Sequence, residues 1–176
     1  MQKLSKSICL MLLVVGVISL PASAQYEQDV ESIDSILKAL YASISGEKGE
    51  ARDWDRFQNL FAEEALLIPT GKNQEGKLVH RMMTPEQYIS SSGKWLVENG
   101  FHEIEVNREV HRFGHVVQVF STYESKYSKN DAEPFMKGIN SIQLFNDGDR
   151  WWVLTVYWSQ ETEDNPIPKA FSGAEG

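Results

Sequence analysis

The apolar residues of this chain change period once, at Asn99-Gly100, and that change limits the folds open to it. Upstream they recur every third or fourth residue; downstream they recur every second. A period near 3.6 buries one stripe of a helix, and a period of 2 buries one face of a strand. The first half is therefore helical with short strands. The second half is extended and must pair with itself. Segregated helices and antiparallel strands mean an α+β fold.

Val30, Ile33, Ile36, Leu37, Leu40, Tyr41 and Ile44 predict an amphipathic helix ended by Gly46. Asp53 is placed to cap a short second helix that carries Trp54, Phe57, Leu60 and Phe61 on one face. Ala65 to Ile68 then reads as a buried strand and Leu78 to Met83 as a second short one. Thr84-Pro85-Glu86-Gln87 opens a third helix with a capping box and proline at its first position, and Asn99-Gly100 stops it. In the next segment Ile104, Val106, Arg108 and Val110 alternate with Glu103, Glu105, Asn107 and Glu109, which predicts a strand with its acidic face in water. Val116 to Tyr127, Phe135 to Phe145 and Arg150 to Gln160 are three more strands, the last two joined by the hairpin turn Asn146-Asp147-Gly148-Asp149. A strongly curved antiparallel sheet with about three helices over its concave face makes a cone with a hollow inside.

Residues 1–24 read as a secretory leader: Lys3 and Lys6, an apolar run from Ile8 to Leu20, and Ala22-Ser23-Ala24 before Gln25. The run is too short to span a bilayer comfortably. The expectation is export, periplasmic or secreted, with a domain over 25–160 and a loosely held tail over 161–176. The only cysteine, Cys9, lies in the leader, so the exported piece has no disulfide, no thiol nucleophile and no thiolate metal site. The formal charge of -8 argues against nucleic acid and anionic membrane surfaces as partners.

The stretch RDWDRFQNLFAEEALLIP (52–69), the helix opened by Thr84, and the paired segment GINSIQLFNDGDRWWVLTVYW (138–158) together resemble the nuclear transport factor 2-like superfamily. That group includes SnoaL-like polyketide cyclases, ketosteroid isomerases and scytalone dehydratases. The resemblance spans roughly residues 29–160 and is nearest to an uncharacterised exported subgroup. It implies a cone-shaped α+β fold. It transfers no catalytic residue, because one fold hosts many functions. Ketosteroid isomerases use an Asp base beside a Tyr and a protonated Asp, whereas ALLIP and the strands 135–145 and 150–160 carry no carboxylate. The histidine and tyrosine chemistry of the dehydratases implies His80, Tyr41 and Tyr123 by residue type only.

Read from the residues, His80 is the leading general acid or base, with Tyr123, Tyr41 or Asp55 as its partner. Asp55 also suits the positive end of the second helix. Tyr41, Trp54, Asn140, Gln143 and Trp158 are candidate ligand contacts. Amides and hydroxyls on an enclosed sheet face need partners, since an unpaired buried one costs on the order of 1–3 kcal/mol. Asn140 faces away from Ser141 and Gln143, so not all of them point inward. His111 and His115 flank the bend at Gly114 and read as exposed turn residues rather than metal ligands, and His102 reads as solvated. No metal and no cofactor is expected. Aromatic residues on both faces of the last strand (Trp151, Trp152, Tyr157, Trp158) suggest that helices cover one face and a second copy the other, a homodimer through the sheet. The expected function is the binding of an unknown small molecule in an apolar, aromatic cavity. The alternatives are a cofactor-free lyase, isomerase or hydrolase working in that cavity, and a homodimeric interaction module with a filled core.

Overall fold

The computed structural model describes residues 25–173. The leader assigned to residues 1–24 lies outside the described residues. Helix α1 spans Ile33–Ile44 and buries Ile36, Leu37, Leu40, Tyr41 and Ile44. Its first turn is fixed by a reciprocal cap: the Ser32 hydroxyl accepts from the Ser35 N–H at 3.0 Å, and the Ser35 hydroxyl accepts from the Ser32 N–H at 2.9 Å. This cap starts the helix later than Val30, and a single 3-10 turn, Glu27–Asp29, precedes it. Helix α2, Trp54–Asn59, is capped by Asp53, which accepts from Arg56 N–H at 3.0 Å. Helix α3, Pro85–Asn99, has the Thr84–Gln87 capping box. Gly100 stops it at φ 76, where any side chain would run into the Tyr127 carbonyl.

Six strands form one open sheet: β1 (Phe61–Lys72), β2 (Leu78–His80), β3 (His102–Phe113), β4 (Val116–Lys126), β5 (Met136–Asn146) and β6 (Trp151–Gln160). Their order is β2-β1-β6-β5-β4-β3. Only β1 and β6 run parallel; the other neighbours are antiparallel. β1 is longer than the run Ala65–Ile68 because Phe61 already pairs with Val153. β2 is shorter than expected, ending at His80, while Met83 makes an isolated bridge to Leu67. The helices lie against one face of the sheet. The core there is built from Ile36, Leu37, Phe57, Leu60, Val117, Val119, Ile142, Leu144 and Val153.

The acidic face of β3 is not in water along its first half. Glu103 pairs with Ser125 and Glu105 with Tyr123, on the helix-covered side, while Ile104 and Val106 point outward at 44% and 39% exposure. The register shifts between Glu105 and Asn107, and Val106 is the extra residue. Beyond this bulge Arg108 and Val110 oppose Ser121 and Val119 on the inner side. A bulge exchanges faces because the side-chain period is 2. Sequence alternation is therefore right for the distal half of β3 and reversed for the half nearest α3.

Two further features set the frame. The buried Arg52 guanidinium donates to the carbonyls of Ile44 (3.0 Å), Gly46 (2.7 Å), Glu50 (2.5 Å) and Leu96 (2.9 Å), so one side chain ties the ends of α1 and α3 together. The tail, read from the sequence as loosely held, folds back over the outer face of the sheet. Phe171 packs on Phe120 with ring centroids 5.0 Å apart, and its carbonyl accepts from Thr122 Oγ1 at 2.6 Å.

Candidate functional site

A cavity of about 220 Å³ opens between α1, α3 and the inner face of the sheet. Its wall is largely apolar and aromatic: Leu40, Ile44, Phe57, Leu67, Leu96 and Val156 among aliphatics and ring systems, with Tyr88, Trp95, Phe101, Tyr123 and Trp158. At its rim Trp95 and Phe101 both stack edgewise on Phe135, itself stacked on Tyr127 at 4.1 Å. The polar fittings come from three strands and two helices: Glu103, Asn140, Tyr123, Tyr41 and Tyr88.

These groups are joined in sequence. Glu103 Oε1 accepts from Asn140 Nδ2 at 3.2 Å, and Oε2 accepts a longer bond from Ser125 Oγ at 3.4 Å. The same Asn140 nitrogen donates to the Tyr41 oxygen at 3.1 Å. Tyr41 and Ser121 are 2.6 Å apart, and Ser121 donates to Glu105 Oε1 at 2.5 Å. An ionised carboxylate only accepts, so Ser121's proton belongs to Glu105 and Tyr41 must donate to Ser121. Glu105 is held in turn by Arg108 at 2.8 Å, which also meets Asp34 at 2.7 Å.

The two carboxyls thus have different surroundings. Glu105 has a guanidinium. Glu103, half-buried, has neutral donors, and burial pushes it up to about 7, against the smaller opposing pull of Asn140 and Ser125. Burial, reinforced by the Glu103 charge, raises the Tyr88 and Tyr123 phenols above their ordinary range. Tyr41 is raised for the same two reasons. Tyr123 is 1% exposed, and its hydroxyl has no hydrogen-bond partner. Its ring lies over Gly138 on the neighbouring strand, where a Cβ would come within 2.5 Å of the hydroxyl.

Of the residues singled out by sequence, Tyr41, Tyr123, Asn140 and Trp158 meet in this cavity. Four do not. His80 is exposed on β2 and sits with Met82, Ser141, Gln143 and Tyr157 beside a depression remote from the cavity lining. Gln143 belongs to that same depression, on the outer face opposite Ile142. Asp55 is exposed in the first turn of α2. Trp54, half-buried, packs edgewise on Phe57 and against Gly93 at the margin of the core. His102 is a correction: it is buried at 2% exposure, with Nε2 3.1 Å from Glu47 Oε1. His111 and His115 are exposed about the β3–β4 hairpin. The residues that sequence missed are Glu103, Tyr88 and Trp95. The signal for Glu103 was present across the ladder: Ser121, Tyr123 and Ser125 share one polar face, and a polar inner face needs polar partners on the adjoining strand.

The helices laid across the inner side of this sheet, with the hollow between them, decide the fold when set beside solved structures. The fold is nuclear transport factor 2-like. A protein of unknown function with a cystatin-like fold from Nostoc punctiforme matches with a TM-score of 0.55 at 11% identity, over 74% of this chain and 90% of that one. A protein of unknown function of the nuclear transport factor 2-like type from Silicibacter pomeroyi matches with a TM-score of 0.52 at 10% identity, over 81% and 100%. LinA matches with a TM-score of 0.54 at 8% identity, over 74% and 84%. No family model matches the sequence, and no curated protein does. At such identities the nuclear transport factor 2-like fold is what is shared, and the chemistry has to be read from this chain's own side chains.

Proposed function

We propose that this chain is an exported small-molecule-binding domain of the nuclear transport factor 2-like fold, holding its ligand in the cavity lined by Tyr41, Glu103, Tyr123, Asn140 and Trp158. One observation carries the reading: a hollow of about 220 Å³ with a mainly apolar, aromatic wall into which one carboxyl, Glu103, and one amide, Asn140, are built. A hollow lined by Leu and Phe alone is a packing defect that costs stability. A hollow with a carboxyl and an amide in an apolar wall has groups that can orient a ligand. The volume lies below that of drug-sized sites, so the ligand is small, on the order of ten heavy atoms. Export rests on the leader signature of residues 1–24.

The second reading, a cofactor-free lyase, isomerase or hydrolase, moves from His80 to Glu103. It is favoured by one specific feature: a carboxyl in the cavity wall beside Asn140 and Tyr41, pushed up to about 7 by burial. Pairing of two copies through the uncovered part of the outer sheet face, around Tyr157 and Gln143, is proposed with it; sedimentation giving a monomer would remove that part alone.

The test of binding is native mass spectrometry of protein purified from its own host, beside the variant Leu40→Trp, which fills the hollow. A small ligand carried by the wild-type chain and absent from the variant supports the reading. A chain that arrives empty, and that takes up none of a library of small aromatic molecules followed by Trp fluorescence, overturns it.

A further inference from the structure

The lining of the cavity is charged in one sense only. Glu103 supplies its sole carboxyl, and no Lys, Arg or His lies among the lining residues. Lys38, His102, Arg108 and Lys129 line a polar groove that shares Tyr41 and Glu103 with the cavity, and Arg108 is already matched by Glu105 and Asp34. Glu103 accepts one hydrogen bond at each oxygen, from Asn140 and Ser125, and a carboxylate has room for about four. Glu103 lines a hollow walled by seven aromatic rings, those of Tyr41, Phe57, Tyr88, Trp95, Phe101, Tyr123 and Trp158.

We propose that this cavity selects a small hydrophobic amine in its protonated form, with the ammonium on Glu103 and the apolar body against the aromatic and aliphatic wall. The inference rests on the binding reading above and names its ligand class. An ammonium has three donors and no acceptor, which suits a site of open acceptors. Ring faces attract a cation within about 6 Å of their centroids, more strongly where water is excluded. A carboxylate ligand would meet Glu103 as a like charge with no counter-ion in the wall. A neutral ligand would leave Glu103 as poorly solvated as before. An amine matches it, and two paired charges are tolerated in a dry site where one is not.

The pairing has a proton cost with a definite sign. The titratable groups around Glu103 are the phenols of Tyr41 on α1, Tyr88 on α3 and Tyr123 on β4 on the cavity side, and Lys38, Glu50, His102, Glu105, Arg108 and Lys129 along the polar groove that Glu103 also lines, where Arg108 is fixed by Glu105 and Asp34. The cations among them line the groove and not the cavity. With Glu103 titrating at about 7, below that pH the free site is mostly neutral and must release one proton to solvent to receive the ammonium.

The experiment is calorimetric titration of the protein with three probes that share a phenyl ring and a short arm: 2-phenylethylamine, 2-phenylethanol and 3-phenylpropanoate. At pH 7.5 the amine is expected to bind at least ~10-fold more tightly than the alcohol, and the acid not measurably. Between pH 7 and pH 5 the amine's affinity is expected to fall about 50-fold, as the ionised fraction of Glu103 falls from one half to one hundredth. The alcohol's affinity should stay level. Glu103→Gln should bring the amine down to the alcohol and flatten its pH profile. Alcohol and amine binding equally, or an amine affinity that does not move with pH, overturns the ligand class while leaving the cavity reading intact. Failure of all three probes to bind overturns both. If Glu103→Gln does not fold, the ratio of amine to alcohol and its pH profile in the unaltered protein still decide the question.

Discussion

The inner face of β4 and β5 has two halves made of the same strands, and they have opposite chemistry. Near the hairpin turns the facing residues are Val117, Val119, Ile142 and Leu144, all fully buried against Val153 and Trp151. Toward the other end the same two strands present Ser121, Tyr123, Ser125 and Asn140, with Glu103 and Glu105 brought in from β3. The first half is solid. The second is hollow, and its polar groups bond to one another around the hollow. Backbone geometry and cover by helices are common to both, so the difference lies in side-chain volume and polarity. One half holds the fold; the other is free to hold something else.

The largest effect that separates the halves is expected from Leu144→Ala in the solid one. It empties a fully buried site and should cost about 4 kcal/mol of stability by chemical denaturation, with ligand-cavity geometry unchanged. Next comes Glu103. Its folded pKa of about 7 stands above the unfolded value of 4.5, so its favourable contribution is whole below pH 4.5 and is lost as pH rises to about 7. Comparing unfolding free energies at pH 4 and pH 8, Glu103→Gln should remove a pH-dependent loss of about 3 kcal/mol present in the unaltered chain. A pH response identical in both proteins would mean that Glu103 is solvated and the hollow wet.

Gly138→Ala should cost about 2 kcal/mol, because the new methyl would press on the Ser159 carbonyl and the Tyr123 hydroxyl, each 2.5 Å from it. The Tyr123 ring would then swing into the hollow, and probe binding should weaken along with stability. The smallest change is Tyr123→Phe. Removing a buried hydroxyl that has no partner should alter stability by no more than about 0.5 kcal/mol, measured by thermal melting. A large loss would show that the Tyr123 hydroxyl is bonded within the fold.

The solid half was the more legible. Alternation in 135–145 and 150–160, the Asn146–Asp149 turn and the Thr84–Gln87 capping box follow from local rules, and the structure has each of them; the Ser32–Ser35 cap was not read from the sequence. The nuclear transport factor 2-like arrangement was also within reach. The hollow half was legible only in its hydroxyls and its amide. Its carboxyl was hidden by one bulge, since Val106 adds a residue and turns Glu103 and Glu105 inward without altering the spacing that a reader sees. His80 and Gln143 have the right chemistry, but parity and strand order put them outside, and strand order is a long-range property. Arg52 gave no local sign of burial, because the carbonyls it serves come from the ends of two helices brought together only by the fold.

The parallel seam between β1 and β6 bears on how the chain assembles. β3 to β6 form a meander whose neighbours are joined by turns or a short loop, so each pairing closes a short stretch of chain. Leu67 must instead find Val156 from the far end of the sequence. Closing so long a loop costs more entropy and slows the step that needs it. The meander should therefore form first and the β1–β2 edge dock last, which makes that edge the natural place for partial opening. Since Leu67 and Val156 both line the hollow, amide exchange faster at β1 than at β4 would show the cavity wall to be hinged at the seam.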